Sequence, residues 1–238
     1  MSNPEVEKPS IRYALLFRLV KFYFGFFYRK ITVTGRSRIP HGVPLIFAAN
    51  HQNALMDALA VLFTADRPVV FLARADIFKK RVIAQLLYLI KILPVYRIRD
   101  GVDAMGNNQE VFRQTVRILE YGTPMGLLPE GTHTSIKHLQ PLKKGICRIA
   151  FLTAESSDFK LNIHIVPVGI DYTNYQHAGT HLLVNYGHPI PVAGYYELYR
   201  ENPHKAIALL RNDLADALKK IMIHVDNEQY YHTIQSLT

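Results

Sequence analysis

A layered α/β fold, with helices covering a largely buried mixed β-sheet, is the architecture this sequence predicts. Three observations carry it. Apolar runs of strand length alternate along the chain with segments of helical periodicity. Several of those runs are apolar throughout, as strands covered on both faces are. The 238 residues, 49% hydrophobic and 20% charged, suffice for a sizeable core and show no repeat, low-complexity linker or internal domain boundary.

Taken in order, residues 31–36 (ITVTGR) read as a short strand and 39–42 as a turn. Residues 44–49 (PLIFAA) form an apolar strand that delivers a polar cluster, Asn50-His51-Gln52-Asn53, and a helix follows over about 54–64. Residues 69–73 (VVFLA) are a buried strand. Residues 77–91 look helical and apolar on more than one side, with 82–90 a candidate wall for an apolar channel. Residues 92–97 (ILPVYR) lead into a further strand. A helix over 107–121 shares Val111, Thr115, Ile118 and Leu119 on one face and stops at Gly122. Residues 124–128 are strand-like, 144–153 helical, and 163–170 and 181–186 strands. The last helix spans 203–225, started by Asn202-Pro203, with an apolar face at Leu210, Leu214, Ala217 and Ile221.

Before this domain lie residues 1–30, read as a separate interfacial segment ahead of an α/β domain over 31–238. Residues 13–28 (YALLFRLVKFYFGFFY) are very apolar but shorter than the roughly 20 residues a spanning helix needs, and Arg18 and Lys21 interrupt them on one helix side. Six aromatic residues over 22–28 suit the headgroup region of a bilayer. The alternative is a helix packed on the protein's own core, and the two are compatible. The opening residues do not read as a cleavable signal peptide. The expected location is the cytosolic face of the cytoplasmic membrane, peripheral or monotopic.

The formal net charge is +9. Residues 1–30 hold six Lys/Arg against two Glu, and residues 67–100 eight against two Asp. Such clustering suits an anionic membrane or anionic substrates. No zinc finger, KH loop or RRM-type aromatic motif accompanies it, so nucleic acid is not an expected partner. Cys147 alone forms no internal disulfide or multi-thiolate metal site. It sits in an apolar helical pattern as a core residue, in keeping with a reducing, cytosol-facing environment.

Two polar clusters sit directly after apolar strands, where rigid α/β frames present chemistry. In the first, His51 carries an imidazole, a side chain suited to taking a proton from a hydroxyl, and Asp57 is placed to accept its other ring N–H and stabilise the imidazolium. In the second, Leu128-Pro129-Glu130-Gly131-Thr132-His133-Thr134, Gly131 permits close backbone approach, and the threonines and free N–H groups suit an anion. Glu130, itself anionic, fits a substrate hydroxyl or a basic side chain instead. Arg74, Arg97, Arg99, Lys143 and Lys144 form a basic set, of which Arg74 and Arg97 follow strands, where a guanidinium can grip phosphate through paired N–H donors.

Four blocks in order, NHQNALMD, FLARADIF with ILPVYR, LLPEGTHT and IVPVGI, resemble the glycerolipid acyltransferases of the lysophosphatidate acyltransferase type. The resemblance runs from about residue 31 to 190. It implies that His51 is the general base with Asp57 its partner, and that Arg97, Glu130, Gly131 and Thr132 surround the acceptor's glycerol phosphate. Arg74 keeps the charge of a position that often carries lysine, and Pro167 shapes the donor site or pocket wall. It also implies membrane lipids as partners and a coenzyme A or acyl carrier protein thioester as acyl donor. No metal or redox cofactor is expected.

This chain departs from the family pattern twice. Five residues separate His51 from Asp57 where four are usual. An added helical residue turns the aspartate by about 100°, so the loop or first turn must absorb it. His133 stands where arginine is usual, replacing a permanent forked charge and leaving a lysophospholipid or amino-acid-derived lysolipid open as acceptor. A third option, outside enzymes altogether, is a noncatalytic membrane-binding module. No serine occupies a nucleophile elbow, which argues against an acyl-serine route.

Overall fold

The structure is a computed structural model and describes residues 11–65, 67–95, 104–134, 136–175 and 177–225. Helix α1 (Ile11–Phe27) runs directly into strand β1 (Tyr28–Thr34). Then come β2 (Leu45–Ala49), α2 (Ala54–Thr64), β3 (Val70–Arg74), a 3-10 turn (Ala75–Phe78), α3 (Arg81–Leu89) and β4 (Ile92–Val95). Next are α4 (Ala104–Glu120), β5 (Met125–Leu127), α5 (Gly145–Ser156), β6 (His164–Tyr172), β7 (Thr180–Tyr186), β8 (Ile190–Pro191), α6 (Tyr196–Glu201) and α7 (Pro203–Lys219).

The strands form one mixed sheet in the order β1-β7-β6-β2-β5-β3-β4, with β8 beside β6. From β6 to β4 every neighbouring pair along this path is parallel, β6 and β7 are antiparallel, and β1 returns parallel to β7. Period-two alternation splits β2 between the two sides. Leu45, Phe47 and Ala49 join the cluster under α1 and α2, whereas Ile46 and Ala48 join the one under α4, α5 and α7. All five β2 residues are buried, which explains the unbroken apolar run. Cys147 lies in the second cluster, its thiol pushed up to about 12 by burial.

Two sequence expectations change. The last helix ends at Lys219, and its buried seam is Ile207, Leu210, Leu214 and Leu218, with Ala217 and Ile221 only partly buried. Mixed three- and four-residue steps let either seam pass as a helix face, and packing against α5 selects this one. Its start is as expected: Asn202 accepts from Lys205 N at 3.0 Å, with Pro203 in the first turn. In addition, β8 and α6 have no counterpart in the sequence reading.

Candidate active site

Strands β2, β5 and β3 are adjacent and parallel, so their carboxyl ends meet at one edge of the sheet. His51 follows β2, the 128–134 loop follows β5, and Arg74 ends β3. The first cluster is locked to the sheet by Asn50. Its side chain donates to Ile170 O at 2.9 Å and accepts from Ile170 N at 2.7 Å, a two-point clasp on β6.

His51 and Asp57 are brought together. His51 Nδ1 lies 2.9 Å from Asp57 Oδ2, and Asp57 is 0% exposed. The same Oδ2 accepts from Gln52 N at 2.8 Å and Asn53 N at 2.7 Å, while Tyr172 Oη donates to Oδ1 at 2.7 Å. Four donors thus converge on one buried carboxylate, which orients it and compensates its desolvation. Burial, reinforced by the charge of Asp57, pushes the Tyr172 hydroxyl well above its ordinary range, so it stays a donor. With Nδ1–H facing Asp57, His51 keeps Nε2 as a free acceptor.

The fifth intervening residue is absorbed at the start of α2. Ala54 takes φ +42°, a left-handed conformation unusual for alanine, and Met56 N donates to Asn53 O at 2.9 Å. This kinked first turn lets the Asp57 carboxylate reach back to the N–H groups of Gln52 and Asn53.

Glu130 ties the two loops together. Its Oε1 accepts from His51 N at 2.6 Å and its Oε2 from Gln140 N at 2.8 Å. Burial raises its pKa, and the two backbone donors oppose that shift. Thr134 N adds a bond to His51 O at 3.2 Å. Gly131 turns the loop at φ +71°, donating to Leu128 O at 3.0 Å. The His133 ring lies edge-on to His51, centroids 5.4 Å apart, and both Thr132 and His133 are exposed.

A cavity of about 840 Å³ opens beside this cluster. His51, Gly131, Thr132, His133 and Lys143 give it a polar end. Its remaining wall is apolar, drawn from the start of α2 (Ala54, Leu55, Ala58), from β3 and β4, and from Ile77. Gly126 serves this wall from behind, because a Cβ there would run into the Phe71 ring. None of residues 82–90 lines the cavity, so the expected role of that segment passes to α2 and β3. Pro167 is buried within β6 and does not line it either. Arg74 contributes its backbone to the end of β3, its side chain lying outside the described residues, as does all of Arg97. Sequence reasoning missed Tyr172 and Gln140, which reach the site from 115 and 10 residues away in sequence. Among the described residues no group of three or more His, Cys, Asp or Glu is placed to hold a metal ion.

Comparison with known proteins bears on the family and the fold. The chain is 30% identical over 147 residues to the 1-acyl-sn-glycerol-3-phosphate acyltransferase of Borreliella burgdorferi, 61% of this chain and 52% of that one. Over 129 residues it is 27% identical to glycerol-3-phosphate O-acyltransferase 2 of Saccharomyces cerevisiae, 54% of this chain but 17% of the other. The chain thus spans about half or less of the length of these two relatives. The crystal structure of the 1-acyl-sn-glycerophosphate (LPA) acyltransferase from Thermotoga maritima shares the fold with a TM-score of 0.56 at 18% identity, covering 86% of this chain and 80% of that one. The model of the Acyltransferase family matches residues 30–171, which span both polar clusters and more than half of the sequence, and the chain belongs to that family.

Proposed function

We propose that this protein transfers a fatty acyl group from an acyl thioester, carried by coenzyme A or acyl carrier protein, to the free hydroxyl of a lysophosphatidate-like glycerolipid. The observation that carries the proposal is His51, held by a fully hydrogen-bonded Asp57 and facing a cavity whose far wall is apolar. Relatives named as 1-acyl-sn-glycerol-3-phosphate acyltransferases support the choice of acceptor.

In this mechanism His51 Nε2 removes the hydroxyl proton while Asp57 stabilises the imidazolium. The acceptor oxygen attacks the thioester carbonyl, forming a tetrahedral oxyanion stabilised by nearby backbone N–H groups. Collapse breaks the C–S bond, and the imidazolium returns its proton to the departing thiolate. The acceptor phosphate is assigned to the end of the cavity lined by Gly131, Thr132 and His133, with Arg74 and Arg97 the guanidiniums expected from the sequence to bind it, and the acyl chain to the apolar wall. Helix α1 anchors the protein at the bilayer surface. It exposes Leu15, Leu19, Phe22 and Phe26 together with Arg18 and Lys21. Among the described residues no helix is long and apolar enough to cross a membrane.

His133 at the cavity mouth favours a second reading, with a different lysolipid headgroup as acceptor. The deciding experiment is a matrix of acyl thioesters and lysolipids read by product mass, run with wild type and His51→Ala. Lysophosphatidate should give the dominant product, and folded His51→Ala should lose at least roughly 100-fold in turnover. Near-normal turnover of that variant would remove His51 from the chemistry.

A further inference from the structure

We propose that helix α3 and its basic lead-in form a second membrane-docking surface, fitted to an anionic bilayer and abutting the cavity mouth. This rests on the acyl-transfer reading and deepens it, assigning the route by which lipid reaches the site.

Helix α3 covers the same side of the sheet as α1 and α2, with Leu87 packed into their shared cluster. Its outward face carries large apolar residues beside Arg81 and Gln85. Val82 is 78% exposed and Leu86 50%, one helical turn apart, with Ile83 exposed beside them. A short helix with large apolar residues on its solvent side marks an interaction surface. Lys79, Lys80 and Arg81 immediately precede this face, and all three are exposed. Cations beside an apolar helical face match the headgroup region of an anionic bilayer, where each is attracted to lipid phosphate as the apolar side chains enter. A second copy of the chain would bring an identical basic cluster to the same face, so like charges oppose self-association.

Two further contacts tie this surface to the rest. Lys91, just after α3, lies over the ring of Tyr13 on α1 at 5.0 Å, which brings the end of α3 close to α1. The turn before α3 is braced to it by Phe78 against Tyr88, ring centroids 5.3 Å apart. The same turn supplies Ile77, which is exposed and lines the cavity. Ile77 thus joins the lead-in of α3 to the cavity wall, and a bilayer docked on α3 would lie next to the cavity that receives the acyl chain.

The test is flotation of the full chain with phosphatidylcholine vesicles, with and without phosphatidylglycerol, for wild type, Val82→Ser/Leu86→Ser and Lys79→Glu/Lys80→Glu. The apolar variant should partition at least about tenfold less onto both vesicles. The charge variant should lose about tenfold or more only where phosphatidylglycerol is present. Wild-type partitioning by both variants overturns the proposal. So does a change of oligomeric state, read by sedimentation velocity, with unchanged flotation, because that assigns the face to a second copy. In parallel, turnover is measured with short-chain lysophosphatidate and a short-chain acyl thioester, both below their aggregation concentrations. Both variants should match wild type there and fall behind on vesicle-borne acceptor. Loss of turnover on the soluble pair would place α3 in the site and overturn the surface role. Absence of wild-type turnover on soluble and vesicle-borne substrates alike would sink the acyl-transfer reading, while flotation still decides the docking surface.

Discussion

The hydroxyl of Tyr172 holds Asp57 Oδ1 at 2.7 Å while His51 occupies Oδ2 at 2.9 Å, so the catalytic carboxylate assigned here is gripped from both ends. Tyr172 does not line the cavity beside His51 and acts as a positioning residue. Tyr172→Phe should leave the fold intact and lower kcat about tenfold, the scale of one lost hydrogen bond to a charged group, with little change in KM. Removing a donor makes Asp57 a stronger partner for the imidazolium. The acid limb of the pH–rate profile should therefore move upward, a shift that loss of packing alone would not cause.

Glu130 is expected to act on His51 before it acts on substrate. Both of its oxygens take main-chain N–H groups, one of them that of His51. In Glu130→Gln one of those N–H groups would face an NH2 donor, and the base would shift. The expected result is a fall in kcat of roughly 10- to 100-fold, since a misplacement near 1 Å can cost about that much. A rise in KM with unchanged kcat would instead show that Glu130 meets the acceptor directly.

Ala54 offers a direct test of how the extra residue is absorbed. At φ +42° alanine bears a left-handed penalty of about 1–2 kcal/mol that glycine avoids, offset in part by glycine's greater chain entropy. Ala54→Gly should therefore match or exceed wild-type stability by up to about 1 kcal/mol in denaturant titration, although it stands at a helix start. Ala54→Val should be less stable than either, because branching worsens the clash. A glycine variant weakened by about 1 kcal/mol, as in an ordinary helix interior, would contradict the assigned backbone.

These residues also show where sequence stops being informative. The five-residue apolar run of β2 announces a central strand, and the polar cluster after it announces a strand-end site, because both signals are local. The clasp of Asn50 on Ile170 and the grip of Tyr172 on Asp57 join positions more than a hundred residues apart, and no local pattern records such pairs. The apolar face of α3 misled for a related reason. A segment apolar on more than one side does not say which side is covered, and here Leu87 packs inward while Val82 and Leu86 turn outward. The extra residue before Asp57 was visible as a count, whereas its remedy, a left-handed Ala54, is a backbone choice imposed by four convergent hydrogen bonds.

Asp171 gives a prediction with a pH window. It lies on β6, beside the Ile170 that Asn50 clasps, and its Oδ2 accepts from Ile223 N at 3.0 Å. The segment it holds braces the site from below: Val225 N donates to Lys137 O at 2.8 Å, and Leu139 N to His224 Nδ1 at 3.0 Å. The next residue, Gln140, holds Glu130. Burial pushes the Asp171 carboxyl up from 3.8 to about 6, against the lowering by the Ile223 N–H and the Lys137 charge. A carboxyl whose folded pKa is raised favours folding most when protonated. Its contribution is therefore complete below about pH 4 and lost as pH rises through about 6. Asn keeps an oxygen for the Ile223 N–H and cannot ionise, so Asp171→Asn should escape that loss. Relative to wild type, the variant should gain about 2 kcal/mol in unfolding free energy between pH 4 and pH 7.5. Paired urea titrations at both pH values measure the difference. An Asp171→Asn effect that stays constant across the window, or that turns against the variant as pH rises, would mean that Asp171 is ionised throughout and that Lys137 and the Ile223 N–H outweigh burial.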